Sequence, residues 1–404
     1  MTRKTIIALI LCSIILFGFA LTASAGNDAE AMVMIDDEEL EAEVPFTDAK
    51  GRSLEEVERV MDYQKKYILA YGAFEEKHKS ELYPESYAGV YFSDDYTFVV
   101  KSVSQDNAAI AELQEIFGKD IVVKPAQYSM NEMVALKEAA KKSFNSEEAY
   151  AKIDPIGNVV KIVVTEKFVQ ERGAAALSEL ASLPMKILGK NIYIGQNSIM
   201  KLDIVADFDK PEKTTVRNIN QAAYYSQSSS HGCWATRNGV NGIVFAGHST
   251  TGQTGSTVKT SSSGSTIGTV QVNSFRNNSY ADAGWIQVTG NFQPNVSGST
   301  FLPIMIEPYV SWATLGATVR RKGKTTDSSG VITDIGIPIR DPNNNWITKD
   351  MVCATYTTTM GESGGAVIGS DVIYGIQSAG TGPSYFSQWH NIRSELGVDV
   401  IFTR

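Results

Sequence analysis

The chain has 404 residues, of which 43% are hydrophobic and 20% are charged. This length allows two or three domains, and this composition excludes a disordered chain and a membrane-embedded one. The net charge of −9 is uneven: residues 1–25 hold two basic residues and residues 217–404 hold 12 basic and 10 acidic ones, which leaves −13 on residues 26–216. Neither half has the basic excess of a nucleic-acid-binding protein, so we expect no nucleic-acid partner.

Residues 1–25 have the three parts of a secretory signal peptide. Arg3 and Lys4 give a positive start, residues 6–21 form an apolar core, and Ala23 and Ala25 give a small-residue cleavage site. The length of the apolar run leaves a retained membrane anchor as the alternative. Once the signal is removed, we expect a secreted protein with no stable membrane insertion.

Residues 26–216 are predicted to form an α+β unit, in which residues 26–50 are an acidic, flexible leader. Ser53-x-x-Glu56 and Ser129-x-x-Glu132 are capping-box patterns that predict helix starts. Apolar periodicity predicts strands at 90–92, 98–100, 121–124, 159–164, 192–194 and 200–205, and helices over 107–117 and 166–183. No nucleophile, metal-spaced cluster or phosphate loop stands out in this half. His78 stands among charged residues and is predicted to lie on a solvated helix face without a role.

The composition changes after residues 209–213, where Ser, Thr, Gly and Asn become frequent. Short β-rich runs separated by turn residues predict an all-β barrel or sandwich for residues 217–404. The predicted strands lie at 242–246, 267–272, 285–288, 317–319, 330–333, 351–356 and 372–377, with one helix at 388–396. Such non-local β topologies fold slowly.

Ser363 stands in the sequence Gly-Glu-Ser-Gly-Gly at residues 361–365. Glycines on both sides allow a tight turn that directs the hydroxyl outward while backbone N–H groups point at one spot. A serine nucleophile with an oxyanion hole requires this geometry. An ordinary glycine-rich loop is the alternative, so the rest of the chain has to supply a base and a carboxylate.

His248 and Asp282 are the candidates for that base and carboxylate. His248 follows the apolar run 243–247, and Asp282 leads directly into the apolar strand 285–288. The order His, Asp, Ser is that of chymotrypsin-like enzymes. Of the other histidines, His390 is predicted to be packed beside Trp389, and His231 is predicted to be a loop residue.

Residues from about 217 onward resemble secreted chymotrypsin-like serine proteases of the streptogrisin/alpha-lytic type. Residues 245–248 (Phe-Ala-Gly-His) are similar to the family's Thr-Ala-Gly-His, and residues 361–365 to its Gly-Asp-Ser-Gly-Gly. Residues 282–286 match its Asp-led strand, residues 316–326 another family segment, and residues 386–401 its closing helix and strand. Residues 26–216 resemble the family's large pro-region more weakly, chiefly around 87–91.

The resemblance implies an all-β double β-barrel (chymotrypsin-like) protease domain at 217–404, preceded by the α+β pro-region at 26–216 as folding catalyst and inhibitor. His248 is then the general base, Asp282 orients it, and Ser363 is the nucleophile. The oxyanion hole is formed by the backbone N–H groups of Gly361 and Ser363. Self-cleavage is expected near 210–222, protein or peptide substrates and the chain's own pro-region are the expected partners, and no cofactor or metal is expected.

Substrate-binding residues also follow from the resemblance. Ser378, Ala379 and Gly380 are similar to the Ser-Gly-Gly strand that binds substrate backbone in the family. Gln377 and Met360 are candidates for the lining of the specificity pocket. The absence of an obvious buried charge there favours apolar or medium-sized substrate side chains.

Several positions depart from the family pattern. Ser249, Arg320 and Thr357 stand where the family has cysteines, so its usual disulfides are missing. Whether Cys233 and Cys353 pair with each other or stay as two thiols is open. Glu362 replaces the aspartate before the nucleophile, and we predict that it forms an ion pair with Arg321, which matches the arginine that pairs with this acid in bacterial relatives.

Two other functions remain as alternatives. A catalytically silent, secreted binding protein on a protease-like scaffold is suggested by Glu362 and the missing cysteines. An esterase without peptidase activity would use the same three residues. The retention of all three triad residue types favours a serine endopeptidase that is made as a self-processing zymogen.

Overall fold

The computed structural model describes residues 46–142, 149–171, 185–187, 190–192, 199–205, 223–224, 230, 232–250, 253–259, 266–289, 312–323, 326–341, 345–370, 372–380 and 383–400. The predicted signal peptide, most of the predicted leader, the expected cleavage region at 210–222 and His231 lie outside these residues. Among the helices within these ranges, none is long and apolar enough to cross a membrane.

The first half of the chain combines helices with small sheets. Its elements in chain order are β1 (Phe46–Asp48), α1 (Leu54–His78), β2 (Tyr87–Phe92), β3 (Phe98–Ser102), α2 (Asn107–Phe117), β4 (Val122–Pro125), α3 (Met130–Lys141), β5 (Ala149–Asp154), β6 (Val159–Thr165), β7 (Met185–Ile187), β8 (Lys190–Ile192) and β9 (Met200–Val205). One three-stranded sheet has the order β2-β3-β4 and another the order β5-β6-β9. Residues 166–171 are helical, as predicted for the start of the helix over 166–183, whose remainder lies outside the described ranges.

Both predicted capping boxes are confirmed at the starts of α1 and α3. Ser53 Oγ accepts a hydrogen bond from the backbone N–H of Glu56 at 3.2 Å, and the Glu56 carboxylate accepts one from the N–H of Ser53 at 2.8 Å. The reciprocal pair at Ser129 and Glu132 has distances of 3.3 and 2.9 Å. Each box satisfies backbone donors that the first helical turn leaves without an intrahelical partner.

Within the described ranges, the second half consists of strands, one short 3₁₀ turn and one α-helix near its end. Its elements are β10 (Ala223–Tyr224), β11 (Trp234–Arg237), β12 (Val240–Phe245), a short 3₁₀ turn (Gly247–Thr250), β13 (Thr257–Lys259), β14 (Thr266–Asn273), β15 (Gly284–Val288), β16 (Thr318–Lys322), β17 (Asp327–Arg340), β18 (Ile347–Ala354), β19 (Ala366–Ile368), β20 (Ile373–Ala379), β21 (Ser384–Gln388), α4 (Trp389–Leu396) and β22 (Asp399–Val400). The predicted predominance of β-structure is confirmed.

These strands, together with β1 of the first half, form two seven-stranded sheets. One has the order β10-β13-β14-β15-β12-β11-β22, and the other the order β1-β17-β16-β19-β20-β21-β18. An additional pairing of β17 with β18 closes six strands of the second sheet into a barrel-like ring. The pairing with β18 begins at Ile332, and β1 pairs with residues 327–329 of β17 instead. The pairings of the described strands do not close the first sheet, so the double β-barrel stays a prediction.

His78, in the last turn of α1, packs against aromatic rings. The prediction that it lies on a solvated helix face is therefore wrong. The His78 ring lies 4.5 Å from the Phe74 ring and stacks at 5.2 Å on that of Tyr83. Glu75, one turn earlier, is buried and accepts a hydrogen bond from the Tyr83 hydroxyl at 2.8 Å. The segment after α1 folds back over the helix end, and this tertiary contact overrides the charged local pattern.

Cys233 and Cys353 are not joined by a disulfide. Cys233 lies in a hydrophobic cluster with Trp285 and Trp389, whereas Cys353 packs against a different cluster around Ile337 and Tyr385. Burial raises the pKa of the Cys233 thiol, which keeps it protonated at neutral pH. Cys233 therefore serves as a core residue.

Gly316 lies where the two halves touch, in the turn before β16. Its φ of +76° is in the left-handed region, and a Cβ at this position would overlap the carbonyl oxygen of Phe92. Gly239, between β11 and β12, has almost the same φ of +77° but nothing within 4 Å of a Cβ. A comparison of substitutions at the two glycines therefore distinguishes the effect of backbone strain, present at both, from that of close packing, present only at Gly316.

We expect Gly316→Ala to lower the free energy of unfolding by about 2–4 kcal/mol, because left-handed strain and overpacking add. Gly239→Ala, which meets only the strain, should lower it by about 1 kcal/mol. Urea unfolding monitored by tryptophan fluorescence measures both values. Equal losses for the two variants would show that the halves do not pack at Gly316 as described.

Candidate active site

The antiparallel pairing of β12 with β15 brings His248 and Asp282 together. Phe245 pairs with Gly284, so the residues just after β12 meet those just before β15. His248 Nδ1 lies 2.6 Å from Asp282 Oδ2, and the backbone N–H of His248 donates to Asp282 Oδ1 at 2.7 Å. Two hydrogen bonds to one carboxylate fix both the backbone and the ring of the histidine.

Ser378 connects this pair to Ser363. The Ser378 hydroxyl donates to Asp282 Oδ2 at 2.5 Å, and its carbonyl oxygen accepts a hydrogen bond from Ser363 Oγ at 3.1 Å. The backbone N–H of Asp282 donates a hydrogen bond to the hydroxyl of Ser387 at 2.8 Å. The structure thus joins His248, Asp282, Ser378 and Ser363 in one hydrogen-bonded chain.

Opposing electrostatic effects act on the His–Asp pair. Burial lowers the pKa of His248, but the negative charge of Asp282 and its hydrogen bond outweigh burial, so the pKa is raised above its ordinary value. Burial raises the pKa of Asp282, whereas His248 and the Ser378 hydroxyl lower it, and the net shift is downward. Asp282 is only 2% exposed. A carboxylate that stays ionised beside the ring stabilises an imidazolium.

Glycine backbones shape the turn around Ser363. Gly361 and Gly364 have φ values of 94° and 95°, which side chains with a Cβ rarely adopt. A Cβ at Gly364 would overlap the carbonyl oxygen of Ser230. The backbone N–H of Gly364 donates to the carbonyl of Gln377 at 2.8 Å, which ties the turn to β20. The open turn predicted from the sequence is therefore present.

Ser230 is a residue of the site that the sequence does not reveal. Its backbone N–H donates to the carbonyl of Ser363 at 2.8 Å, and its hydroxyl donates to the carbonyl of Gly361 at 3.0 Å. It holds the turn through the carbonyls of Gly361 and Ser363. Ser230 ends a run of three serines with no pattern that would set it apart, so no sequence signal could have identified it.

Glu362 and Arg321 form a buried ion pair, the partners that the sequence predicted. The two side chains are 1% and 0% exposed. Glu362 Oε1 also accepts a hydrogen bond from the backbone N–H of Thr326 at 3.1 Å. The guanidinium donates further to the carbonyls of Thr326 at 2.9 Å and Thr357 at 3.1 Å. Glycine is required at position 323, because a Cβ there would overlap both charged groups.

The candidate substrate-binding residues lie beside the turn that carries Ser363. Ser378 and Ala379 end β20, and Gly380 follows with a φ of 139°. Thr358 donates from its hydroxyl to the carbonyl of Gly380 at 2.5 Å, a contact that the sequence did not indicate. Met360 is 64% exposed, whereas Gln377 is 1% exposed. Gln377 accepts from the Tyr356 hydroxyl at 2.6 Å and so is a buried structural residue.

Other polar clusters do not add a metal centre. Within the described ranges, no group of three or more His, Cys, Asp or Glu side chains is arranged to hold a metal ion. His390, predicted to be packed, stacks on the Trp312 ring at 4.0 Å, with Nε2 3.6 Å from Asp350.

Comparisons with known proteins give fold-level likenesses alone. No protein-family model and no curated protein matches the chain. A glutamic-acid-specific serine protease is similar at 25% identity, covering 43% of this chain and 93% of its own, with a TM-score of 0.37. Thermobifida fusca protease A is similar at 21% identity, covering 45% of this chain and 100% of its own, with a TM-score of 0.33. Nocardiopsis protease is similar at 21% identity, covering 44% of this chain and 99% of its own, with a TM-score of 0.34. Because these TM-scores are below 0.5, the functional conclusion is drawn from the site itself.

Removal of Arg321 tests the buried ion pair. We expect Arg321→Ala to lower the free energy of unfolding by about 3–5 kcal/mol, because it leaves the Glu362 carboxylate buried without its cation. Arg276→Ala is the control, since Arg276 is 62% exposed and its pair with Glu395 should contribute at most about 1 kcal/mol. Thermal and urea unfolding measure both. Similar values for the two variants would show that the pair does not hold the turn.

Proposed function

We propose that the chain is a secreted serine endopeptidase, made as a self-processing zymogen, that hydrolyses peptide bonds through an acyl-enzyme on Ser363. The observation that carries this proposal is the hydrogen-bonded chain from His248 through Asp282 and Ser378 to Ser363. A buried carboxylate that orients a histidine, linked through Ser378 to a serine in a glycine turn, supports the assignment of a hydroxyl nucleophile with a histidine base.

In the proposed mechanism, neutral His248 takes the proton of Ser363 as its oxygen attacks the peptide carbonyl. The resulting imidazolium then gives this proton to the leaving amine. Asp282 holds the ring through Nδ1 and stabilises its positive charge without becoming protonated. Water attacks the acyl-enzyme in the second half of the cycle, again with His248 as base, and releases the carboxylic acid product.

The nucleophile turn supplies the oxyanion hole in this proposal. The backbone N–H groups of Gly361 and Ser363 would bind the developing negative charge, each worth about 3–4 kcal/mol at the transition state. Ser230, β20 and the buried Glu362–Arg321 pair would keep these donors in place before the substrate arrives. Ser378, Ala379 and Gly380 would align the substrate backbone as an added antiparallel strand.

Residues 26–216 are proposed to be a pro-region that assists folding of the second half and is separated from it by cleavage near 210–222. A ring of non-local strands is slow to form, so a bound helper that lowers the folding barrier would be useful. The buried pairing of Glu362 with Arg321 favours the catalytic proposal over a silent binding protein, because the longer acid keeps its cation. No cofactor is part of the proposal.

Labelling with a fluorophosphonate tests the nucleophile. We expect the wild-type protein to form a covalent adduct and Ser363→Ala to form none, because the probe reacts only with an activated serine. Ser363→Ala should also accumulate at full length if the chain cleaves itself. Ser80→Ala, which changes an exposed serine just after α1, serves as the control and should behave as wild type. If the folded wild-type protein takes no label, the proposal of a serine endopeptidase is wrong.

The pH dependence tests His248 as the base. His248 has to be neutral, so the labelling rate should rise between about pH 6 and 8. Because Asp282 raises the pKa of His248, the protonated ring persists to higher pH and the midpoint should lie above the ordinary histidine value of about 6.5.

Asp282→Asn provides the matched variant. It removes the charge that raises the pKa of His248, so the midpoint should fall, and it favours the wrong tautomer, so the rate should drop on the order of 10⁴-fold. A flat profile for the wild-type protein across this pH range would contradict the role of His248.

A further inference from the structure

The Thr358 side chain forms a hydrogen bond across the space that lies beside Ser363. We infer that this contact leaves only a shallow recess for the substrate, so that the enzyme cleaves after small residues, namely glycine, alanine or serine. The inference rests on the proposed function and names the substrate class of that site. It narrows the apolar or medium-sized side chains that the sequence favoured.

Two segments of the chain face each other beside the candidate nucleophile. Residues 356–361 lead into the turn that carries Ser363, and residues 377–380 include the end of β20 and the glycine after it. The segments are joined where Ser363 Oγ donates to the carbonyl of Ser378 at 3.1 Å. A substrate strand paired with residues 378–380, with its carbonyl in the proposed oxyanion hole, would direct the side chain before the scissile bond between these segments.

Thr358 and Gly380 connect the two segments across this space. Thr358 Oγ1 donates to the carbonyl oxygen of Gly380 at 2.5 Å, so no other atom fits between them. The segment of Gly380 is backed by the start of β21, because a Cβ on Gly380 would lie 2.4 Å from the carbonyl oxygen of Pro383 and 2.8 Å from the Cα of Ser384. This wall of the space therefore has little room to withdraw from Thr358.

Ser384 bounds the same space from a third side. Its Oγ lies 3.4 Å from Thr358 Oγ1 and donates to the carbonyl of Tyr356 at 2.6 Å. Ser384 is 0% exposed. The two hydroxyls thus meet where a longer substrate side chain would have to pass.

The region beyond Thr358 is filled by polar groups that bond to one another. The Tyr356 hydroxyl donates to Gln377 Oε1 at 2.6 Å, and Gln377 Nε2 donates to the carbonyl of Ala379 at 2.8 Å. Both Tyr356 and Gln377 are buried. A large side chain that entered here would have to break these bonds and leave buried polar groups unsatisfied, which is unfavourable.

The entrance to the recess is compatible with substrate binding. Met360 is 64% exposed, and the neighbouring side of the entrance is formed by the short side chain of Ala379. The Gly380 carbonyl oxygen has two lone pairs, so its bond to Thr358 still allows it to accept a hydrogen bond from a substrate N–H. A substrate strand can therefore bind while its side chain meets a shallow recess.

Chromogenic peptide anilides that differ only in the residue before the scissile bond test the inference. Rates are measured on the processed wild-type protein and expressed per serine titrated with the fluorophosphonate. We expect kcat/KM for alanine and serine to exceed that for leucine, phenylalanine, lysine and glutamate at least about 100-fold, because a single methylene that does not fit costs about tenfold or more.

Variants at position 358 test whether the bridge causes the discrimination. Thr358→Ala removes the bridge, so the ratio of kcat/KM for leucine to that for alanine should rise at least about tenfold. Thr358→Ser keeps the hydroxyl and should keep this ratio close to that of the wild type. Thr333→Ala is the matched control, since the Thr333 hydroxyl also donates to a carbonyl, that of Cys353 at 3.4 Å, but is exposed on β17 outside the two segments.

The outcomes separate this inference from the proposed function. If the labelled wild-type protein cleaves the phenylalanine or leucine peptide as fast as the alanine peptide, the inference is wrong and the proposed function stands. The same conclusion follows if Thr358→Ser loses the discrimination as fully as Thr358→Ala, or if Thr333→Ala changes it equally. A wild-type protein that neither takes the label nor hydrolyses any peptide would instead reject the proposed function, and this inference with it.

Discussion

A single buried ion pair, between Arg321 and Glu362, fixes the turn that carries Ser363. Both charged groups are removed from water, so their desolvation has to be offset by good geometry and further hydrogen bonds. The backbone groups of Thr326 and Thr357 supply these bonds. Only glycine at position 323 leaves room for the pair, so the conformation of the loop after β16 is coupled to that of the turn that carries Ser363.

The other residues of the site are positioned by strand pairings in the two sheets. The β12–β15 register places His248 against Asp282, and β20 places Ser378 between that carboxylate and Ser363. Ser378 therefore connects residues supplied by different sheets. The first half contacts the same region, since Glu58 of α1 accepts a hydrogen bond from Arg320, the neighbour of Arg321.

Local signals in the sequence predicted much of this structure. Both capping boxes and the helix over 107–117 depend on nearby residues. The Arg321–Glu362 partners are 41 residues apart and were predicted from the resemblance to a protease family. Gln64 of α1 accepts a hydrogen bond from the backbone N–H of Thr318, 254 residues away, and a buried glutamine on a helix has no pattern that points to so distant a donor. Ser230 and the packing of His78 were missed for the same reason, because tertiary contacts determine both.

The parallel strand β1 also has a consequence for solubility. Residues 327–329 of β17 have β16 on one side and β1 on the other, so their backbone donors and acceptors are used by the chain itself. A sheet edge left open is a template for pairing with another molecule, and proteins commonly cover such edges. β1 therefore shields this edge of β17, which lies some 280 residues further along the sequence, from pairing with another molecule.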